Sequence, residues 1–303
     1  MSVVNTELPI TSSLNVQYIE ALTKAYPFLR SETLTTTENG RPVPTIVAGE
    51  GSRKVIYAGA FHANEWITAL VLLRFLEDLA AAAEAGTSIG RTDARFLLER
   101  ATVYCVPLVN PDGVDLVTGA VTKEEREQAE ILAARYPRIP FPEGWKANLA
   151  GVDLNLQYPA GWEKAREIKF LQGYTRPGPR DFVGKAPLSQ PESAALAGWT
   201  EFVDPQLVLA YHSQGREIYW QYGGYDVPGA KELGKRFAAL SGYTLAEVPY
   251  NSGFAGYKDW FIERFRRPGY TIEVGKGQNP LPVSQFSQIY RENIGILTEA
   301  ALG

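Results

Sequence analysis

Residues 54–85 read KVIYAGAFHANEWITALVLLRFLEDLAAAAEA, a short apolar run followed closely by a long segment rich in Leu and Ala. The first part, Lys54 to Ala60, has the length and residue types of a buried strand. The second part, Glu65 to Ala85, predicts a long helix. A strand that leads directly into a helix is the building unit of α/β proteins, so this stretch indicates that fold class.

Strand-like and helix-like segments alternate in the rest of the chain as well. Further strands are predicted at Glu32 to Thr37, Pro44 to Ala48, Ala101 to Leu108, Leu207 to Tyr211, Glu217 to Gln221 and Tyr270 to Val274. Further helices are predicted at Asn15 to Tyr26, Thr122 to Tyr136, Gln190 to Val203, Pro228 to Ser241, Gly256 to Arg266 and Val283 to Leu302. The segment Pro137 to Lys185 is rich in Pro, Gly and aromatic residues and predicts mostly loop. This alternation predicts a mixed, largely parallel sheet with helices on both faces, in which ligands bind at the carboxyl ends of strands.

Composition excludes several classes of protein. The 303 residues are 45% hydrophobic and 21% charged, which excludes disordered and fibrous proteins. The net charge of −4 without a basic stripe argues against nucleic-acid binding, and a single Cys excludes a disulfide framework. No apolar run is long enough to span a bilayer, and the first residues lack a signal-peptide pattern. We therefore expect one domain over residues 1–303, located in the cytoplasm, with no nucleic-acid or membrane partner and with its oligomeric state open.

Only two histidines occur in the chain, and both lie at the ends of predicted strands. His62 follows the strand Lys54 to Ala60 and precedes Glu65 by three residues, and His212 follows the strand Leu207 to Tyr211. Zinc accepts imidazole nitrogen and carboxylate oxygen, and its catalytic sites use three protein ligands and a water molecule. The pattern is compatible with one shared zinc site. The alternative is two unrelated strand-end histidines and a Glu at the start of a helix.

A carboxylate interrupts an apolar strand near the carboxyl terminus, at Glu273 in the segment YTIEVG. A buried carboxylate without a partner is unfavourable, so Glu273 is expected to have either an ion-pair partner or a chemical role. The partner would be one of the nearby arginines Arg264, Arg266 and Arg267. The chemical role would be that of a general base beside a metal-bound water molecule.

Five blocks follow one another in order along the chain: FHANEWIT (61–68), VPLVNPDGV (106–114), GVDLN (151–155), LAYHSQG (209–215) and TIEVG (271–275). In this order they resemble the zinc carboxypeptidase family, and the resemblance extends from about Tyr18 to Leu302. The resemblance implies an α/β fold with a mixed sheet of about eight strands, which agrees with the alternation described above. It also implies a metallopeptidase that binds one Zn²⁺ per chain and acts on a peptide substrate.

The resemblance assigns roles to individual residues. Matched block by block, the zinc ligands of the family fall on His62, Glu65 and His212, and its catalytic glutamate falls on Glu273. Asp153 matches an aspartate that accepts a hydrogen bond from the first zinc-binding histidine and thereby fixes the imidazole tautomer. The alternative for Asp153 is a turn-forming residue.

Two departures from the family concern the substrate. Asn155 matches a substrate-binding asparagine, but Leu156 stands where carboxypeptidases proper have an arginine that clamps the free carboxylate of the substrate. The family's oxyanion-stabilising arginine falls at or near Lys146, which supplies a point charge rather than a planar fork. The alternative for Lys146 is a solvated surface cation.

These departures and the segments WKANLAGVDLN (145–155) and PGPRDFVGKAPLSQPES (177–193) resemble the bacterial branch that includes the γ-D-glutamyl-L-diamino acid endopeptidases. This resemblance implies hydrolysis of the bond between γ-D-glutamate and diaminopimelate in peptidoglycan stem peptides. Lys258 falls close to the position that sets side-chain preference in the family, and its alternative is a helix-surface lysine. Tyr250 lies near the family's mobile substrate-contacting tyrosine, and its alternative is a packed loop aromatic residue.

Three other functions stay open at the level of sequence. One is a metallocarboxypeptidase whose carboxylate clamp comes from Arg176 or Arg180. Another is an amidohydrolase of the same fold that acts on N-acyl amino acids. The last is a non-catalytic binding module, against which the presence of all four matched site residues argues.

Overall fold

The computed structural model describes residues 2–303. Within this range the helices are α1 Ser12–Ala25, α2 Ile67–Ala85, α3 Ala94–Arg100, α4 Pro111–Thr118, α5 Lys123–Ala133, α6 Trp162–Leu171, α7 Pro191–Val203, α8 Ala230–Ser241, α9 Tyr257–Phe265 and α10 Phe286–Leu302. The strands are β1 Arg30–Thr36, β2 Pro42–Ala48, β3 Arg53–Gly59, β4 Ser88–Ile89, β5 Thr92–Asp93, β6 Ala101–Val106, β7 Leu207–Ser213, β8 Glu217–Tyr219, β9 Thr244–Ala246 and β10 Gly269–Val274. Strands and helices thus alternate through most of the chain.

One mixed sheet of eight strands, in the order β1-β2-β6-β3-β7-β10-β8-β9, forms the centre of the molecule. Its inner strands β6, β3, β7 and β10 run parallel to one another. Antiparallel pairs join β1 to β2, β2 to β6, and β8 to β10. The predicted fold class, a mixed and largely parallel sheet of about eight strands, is confirmed.

Alternating side chains of the central strands divide the core between the two faces of the sheet. In β7, Leu207, Leu209 and Tyr211 pack on the face covered by α1, α2, α8 and α10. The intervening Val208 and Ala210 pack on the opposite face, against α7 and α9. A strand buried on both faces needs an unbroken apolar sequence, which is why β7 shows no polar alternation.

The longest helix in the described part of the chain is α2, with 19 residues, most of them buried. Its glycine C-cap, Gly86, adopts a left-handed conformation with φ of 65°, which residues with a Cβ atom rarely adopt. Even this apolar helix carries Arg74, Glu77 and Asp78. No helix within residues 2–303 is long and apolar enough to cross a membrane.

Three short helices form where the sequence pattern predicts none. Helices α3 and α4 have 7 and 8 residues, which is too short to display a helical period clearly. Helix α6 lies inside the segment 137–185, so the prediction that this segment is mostly loop is wrong for residues 162–171. Trp162, Ala165 and Ile168 of α6 are buried at helical spacing, but the surrounding sequence is rich in Pro, Gly and aromatic residues and therefore indicated loop.

Candidate active site

Three neighbouring strands, β3, β7 and β10, end at one edge of the sheet. Strand β3 ends at Gly59 and is followed by His62 and a short 3₁₀ helix, Ala63–Glu65. His212 lies near the end of β7 and is paired in register with Glu273 of β10. The parallel arrangement therefore brings residues that are distant in sequence to the carboxyl ends of adjacent strands, where α/β proteins bind their ligands.

The side chains of His62, Glu65 and His212 converge at this edge. The Nδ1 atoms of the two imidazoles are 3.2 Å apart, and each lies 2.9 Å from a different oxygen of the Glu65 carboxylate. One donor atom from each of the three residues lies within 4.8 Å of the others. The structure thus brings together the three residues that the resemblance assigns as metal ligands.

This donor set fits a zinc ion. Two imidazole nitrogens and one carboxylate oxygen are ligand types of catalytic zinc sites, which keep a further position for water. The second ring nitrogen of His62, Nε2, lies 3.1 Å from Asp153 Oδ1, so Nδ1 is left to face the other donors. The His212 ring stacks on Phe61 with centroids 5.2 Å apart, which fixes its orientation. His212 Nε2 is buried without a hydrogen-bond partner in residues 2–303, so the polar contacts of this ring lie at Nδ1.

The negative charges of Glu65 and Asp153 stabilise a positive charge at the centre of the cluster, whether a proton on His62 or a metal ion carries it. Burial alone would lower the pKa of His62, but the charges of Glu65 and Asp153 outweigh burial and raise that pKa to about 9. The pKa of Glu65 lies well below its ordinary value because nearby cations outweigh the opposing effect of burial. Burial lowers the pKa of His212, so its imidazole stays neutral and keeps a lone pair for a metal ion.

Lys146 lies beside the cluster rather than on the open surface. Its Nζ donates to Glu65 Oε1 at 2.9 Å, and its side chain is 19% exposed. Its backbone is held on both sides: the Ala63 amide donates to the Lys146 carbonyl, and the Lys146 amide donates to the Pro179 carbonyl. The alternative interpretation of Lys146 as a solvated surface cation is therefore wrong.

Glu273 has none of the arginine partners that its sequence context suggested. Those arginines contact other groups, namely Arg264 with Glu201, Arg267 with Asp204 and Arg266 with the ring of Tyr225. Burial, reinforced by the negative charge of Glu65, raises the pKa of Glu273 to about 8. The alternative of a core salt bridge with these arginines is therefore wrong. A carboxyl group with a pKa near neutrality is suited to accept and release a proton.

Two clefts meet at Lys146 and Glu273. The first has a volume of about 230 Å³ and is called here the Lys258 cleft; its wall includes His62, Asn155, Leu156, Lys258 and Asp259. The second has a volume of about 520 Å³ and is called the Arg138 cleft; its wall includes Asn64, Arg138, Tyr174, Gln214 and Gln278. Lys146, Arg180, Tyr219 and Glu273 line both clefts. A substrate that occupied both clefts would place its reacting bond near Lys146 and Glu273.

Three of the predicted substrate-binding residues line the Lys258 cleft. Lys258 is only 4% exposed, its Nζ donates to the Gln221 carbonyl at 2.8 Å, and it lies 2.5 Å from Asp259. The alternative of a helix-surface lysine is therefore wrong. Asn155 Oδ1 accepts a hydrogen bond from the first backbone amide of α9, and Leu156 contributes an apolar side chain to the wall.

Tyr250 lies outside both clefts. It belongs to a short 3₁₀ helix, Tyr250–Ser252, is 65% exposed, and lines a separate groove next to the Lys258 cleft. Its ring packs edge-on against Phe254, with centroids 5.4 Å apart. Contact between Tyr250 and a substrate in the clefts would require this loop to move, and its substrate-binding role stays a prediction.

A charged group in the wall of the Lys258 cleft, made of Lys169, Arg180 and Asp181, was not identified as a unit from the sequence. Lys169 Nζ and Arg180 Nε each lie 2.6 Å from an oxygen of the Asp181 carboxylate. Lys169 is buried on the inner face of α6 with Trp162 and Ala165, and this spacing is helical. The spacing was the available sequence signal for a buried Lys169.

Asp153 orients His62 and gives a direct test of the metal site. Its carboxylate also accepts the backbone amides of Asn155 and Asp181, so it is fixed in place. We expect Asp153→Asn to lower zinc affinity by roughly 10- to 100-fold, as is typical when a metal-binding histidine loses its carboxylate partner. Competition with a chelator measures the affinity, and Asp259→Asn, in the same cleft, is the control. An unchanged affinity in Asp153→Asn would contradict the orienting role.

Comparisons with known proteins agree with this geometry. Residues 15–295 match the sequence model of the zinc carboxypeptidase family. The chain is 41% identical to gamma-D-glutamyl-L-diamino acid endopeptidase 1 of Lysinibacillus sphaericus over 284 residues, which are 94% of this chain and 70% of the relative. It is 39% identical to the uncharacterized protein YqgT of Bacillus subtilis (strain 168) over 286 residues, which are 93% of this chain and 74% of the relative.

The fold has counterparts among solved structures. The crystal structure of carboxypeptidase A from Helicoverpa armigera matches with a TM-score of 0.74 over 98% of this chain and 75% of that chain. The sequence identity is 18%, so this match concerns the fold. The family match and the two longer sequence matches extend over most of the chain and include every residue of the donor cluster. The chain therefore belongs to the zinc carboxypeptidase family and is a zinc-dependent metallopeptidase.

Proposed function

We propose that this metallopeptidase hydrolyses the amide bond between γ-D-glutamate and diaminopimelate in peptidoglycan stem peptides. A relative with 41% identity is named as a γ-D-glutamyl-L-diamino acid endopeptidase. The observation that carries the proposal is the wall of the Lys258 cleft, which combines an apolar Leu156 with the cation Lys258. The apolar side chain at position 156 cannot clamp a substrate carboxyl terminus, and the Lys258 ammonium, which Asp259 partly neutralises, favours a leaving residue whose side chain carries a carboxylate.

In this proposal, His62, Glu65 and His212 hold the zinc ion. A zinc ion held by these residues would supply Lewis-acid chemistry and would make water a stronger acid at neutral pH. The Glu273 carboxylate lines both clefts and accepts the proton of the attacking water. The same carboxyl group then returns a proton to the leaving amine, which its raised pKa allows.

Lys146 provides positive charge where the substrate carbonyl oxygen becomes negative. Its ammonium group lines both clefts, and its backbone is fixed by hydrogen bonds to two other segments, so the charge is held in place before the reaction. His62, Glu65, His212 and Glu273 all lie at or just after the carboxyl ends of β3, β7 and β10, and the loop residue Lys146 contacts Glu65. We therefore also propose that residues 1–303 act as one catalytic domain.

Mass spectrometry of digests tests this function. The zinc-loaded protein should convert L-Ala-γ-D-Glu-diaminopimelate to L-Ala-D-Glu and diaminopimelate, and a chelator should stop the reaction. The matched comparison is an α-linked peptide of the same length, with a free or an amidated carboxyl terminus. Cleavage restricted to the α-linked peptide with a free terminus would instead identify a carboxypeptidase, and cleavage of N-acyl amino acids alone would identify an amidohydrolase.

Lys258 gives a prediction about the leaving residue. We expect wild-type protein to prefer the diaminopimelate peptide over the same peptide with lysine in that position, because lysine lacks the second carboxylate. In Lys258→Met, the ratio of the two kcat/KM values should fall by roughly 10-fold, as expected for one hydrogen bond to a charged group. General damage to the fold lowers both kcat/KM values together, so only a change in their ratio supports the assignment. An unchanged ratio would contradict it.

A further inference from the structure

The Arg138 cleft is positively charged. Arg138, Lys146 and Arg180 line it, whereas Glu273 is the one acidic residue among its described lining residues. The Lys258 cleft is proposed to hold the leaving residue, so the Arg138 cleft is left for the acyl residue, whose carbonyl group is attacked. The excess of cations indicates that this acyl residue carries negative charge.

Arg180 is fixed in position by the residues that build the metal site. The Pro179 carbonyl accepts the backbone amides of Lys146 and Ala147 at 2.7 and 2.9 Å. On the other side of Arg180, the Asp181 amide donates to Asp153 Oδ2 at 3.3 Å. The segment that carries Arg180 is thus attached both to Lys146 and to the aspartate that orients His62, so Arg180 has a defined distance from the reacting bond.

The guanidinium group of Arg180 retains binding capacity. Only its Nε atom donates to Asp181, and no residue in the described part of the chain accepts a hydrogen bond from its two terminal nitrogens. Asp181 is shared, because its other oxygen lies 2.6 Å from Lys169 Nζ. One carboxylate therefore faces two cations, Lys169 in the Lys258 cleft and Arg180 in both clefts, so Asp181 does not fully neutralise the Arg180 charge before substrate binds.

We infer that Arg180 is a specificity-determining residue that binds a free carboxylate on the acyl residue of the substrate. The inference rests on the proposed function and adds an acyl-side subsite to it. A glutamate linked through its γ-carboxyl group keeps its α-carboxylate free, three carbons from the reacting carbonyl. A planar guanidinium with two free nitrogens matches such a carboxylate in a bidentate manner. Arg138, exposed in the same cleft, adds longer-range attraction for the anion.

A pair of matched substrates tests the subsite. One is L-Ala-γ-D-Glu-diaminopimelate, and the other is the same peptide with the α-carboxylate of glutamate converted to a carboxamide. We expect wild-type protein to show a roughly 10- to 100-fold higher kcat/KM for the carboxylate form, as for one bidentate charged contact. Arg180→Gln should remove this preference by lowering kcat/KM for the carboxylate form alone. Arg180→Lys should restore part of it, and Arg176→Gln, an exposed arginine of the same segment outside both clefts, should leave it unchanged.

A binding measurement separates failure of the subsite from failure of the proposed function. Calorimetry on the zinc-loaded protein compares L-Ala-D-Glu with L-Ala-D-isoglutamine, which differ only in the same carboxylate. If the protein cleaves neither stem peptide but binds the acid fragment more tightly in an Arg180-dependent manner, the proposed function is wrong and the subsite stands. If the protein cleaves both stem peptides equally well and binds both fragments with equal affinity, the subsite is wrong and the proposed function stands. A preference for a free over an amidated carboxyl terminus of the leaving residue, if it depended on Arg180, would place Arg180 on the leaving side and would also overturn the acyl-side subsite.

Discussion

Glu273→Gln is expected to lower kcat by about 10²- to 10⁴-fold, the range typical of a lost general base, while the protein keeps its zinc. Gln has nearly the same volume but has no oxygen that accepts a proton at neutral pH. The site contains no obvious substitute, because Glu65 is already engaged by both histidines and Lys146. Glu273 itself does not belong to the cluster of donor atoms, so metal content should not change.

Steady-state kinetics together with metal analysis of the same samples checks this prediction. Glu273→Asp keeps the carboxylate but withdraws it by one methylene, so its activity should lie between those of wild type and Glu273→Gln. Glu217→Gln is a matched control, because Glu217 is paired in register with Glu273 and its carboxylate is engaged by the Tyr219 hydroxyl. This control should retain activity to within a few-fold. Turnover by Glu273→Gln near the wild-type rate would remove Glu273 from the role of base.

The central part of the fold was predictable because burial imposes a simple sequence pattern. The inner parts of strands β3 and β7, residues 55–59 and 207–211, are covered on both faces and contain no charged residue, and most residues of α2 are also buried. Polar residues at the ends of such strands stand out against this background. His62 and His212 were for this reason recognisable as candidates, and the structure places their Nδ1 atoms 3.2 Å apart.

The environment of the charged residues was less predictable, because it depends on contacts between distant elements. Lys258 is buried since α9 is placed against the Gln221 carbonyl, and nothing near residue 258 in the sequence encodes that contact. The same reason applies to Glu273, for which three arginines were reasonable partners until the packing of β10 and α9 directed them elsewhere. Helix α6 was missed because it lies in a segment whose Pro, Gly and aromatic content indicated loop.

His212→Ala is expected to lower zinc affinity by well over 100-fold, because it removes a direct ligand and the loss of a mere outer-sphere partner already costs roughly 10- to 100-fold. The chain offers no other imidazole and no accessible thiolate to replace the lost donor. It contains only two histidines, and its single cysteine, Cys105, is buried in the main core cluster of the sheet. The remaining ligands, His62 and Glu65, would bind zinc through only two side chains, which is fewer than the three that catalytic zinc sites use.

Metal analysis after dialysis measures the loss, and two further variants make the result specific. His212→Phe keeps an aromatic ring that can stack on Phe61 but has no donor nitrogen, so it should also lose zinc while circular dichroism reports an intact fold. Ser213→Ala keeps the backbone amide that donates to Glu65 Oε2, and this neighbouring variant should retain zinc. Both His212 variants should be inactive even with excess zinc in the assay buffer. One full equivalent of zinc in either His212 variant would show that the ion is held by other residues, and the shared site at the ends of β3 and β7 would have to be abandoned.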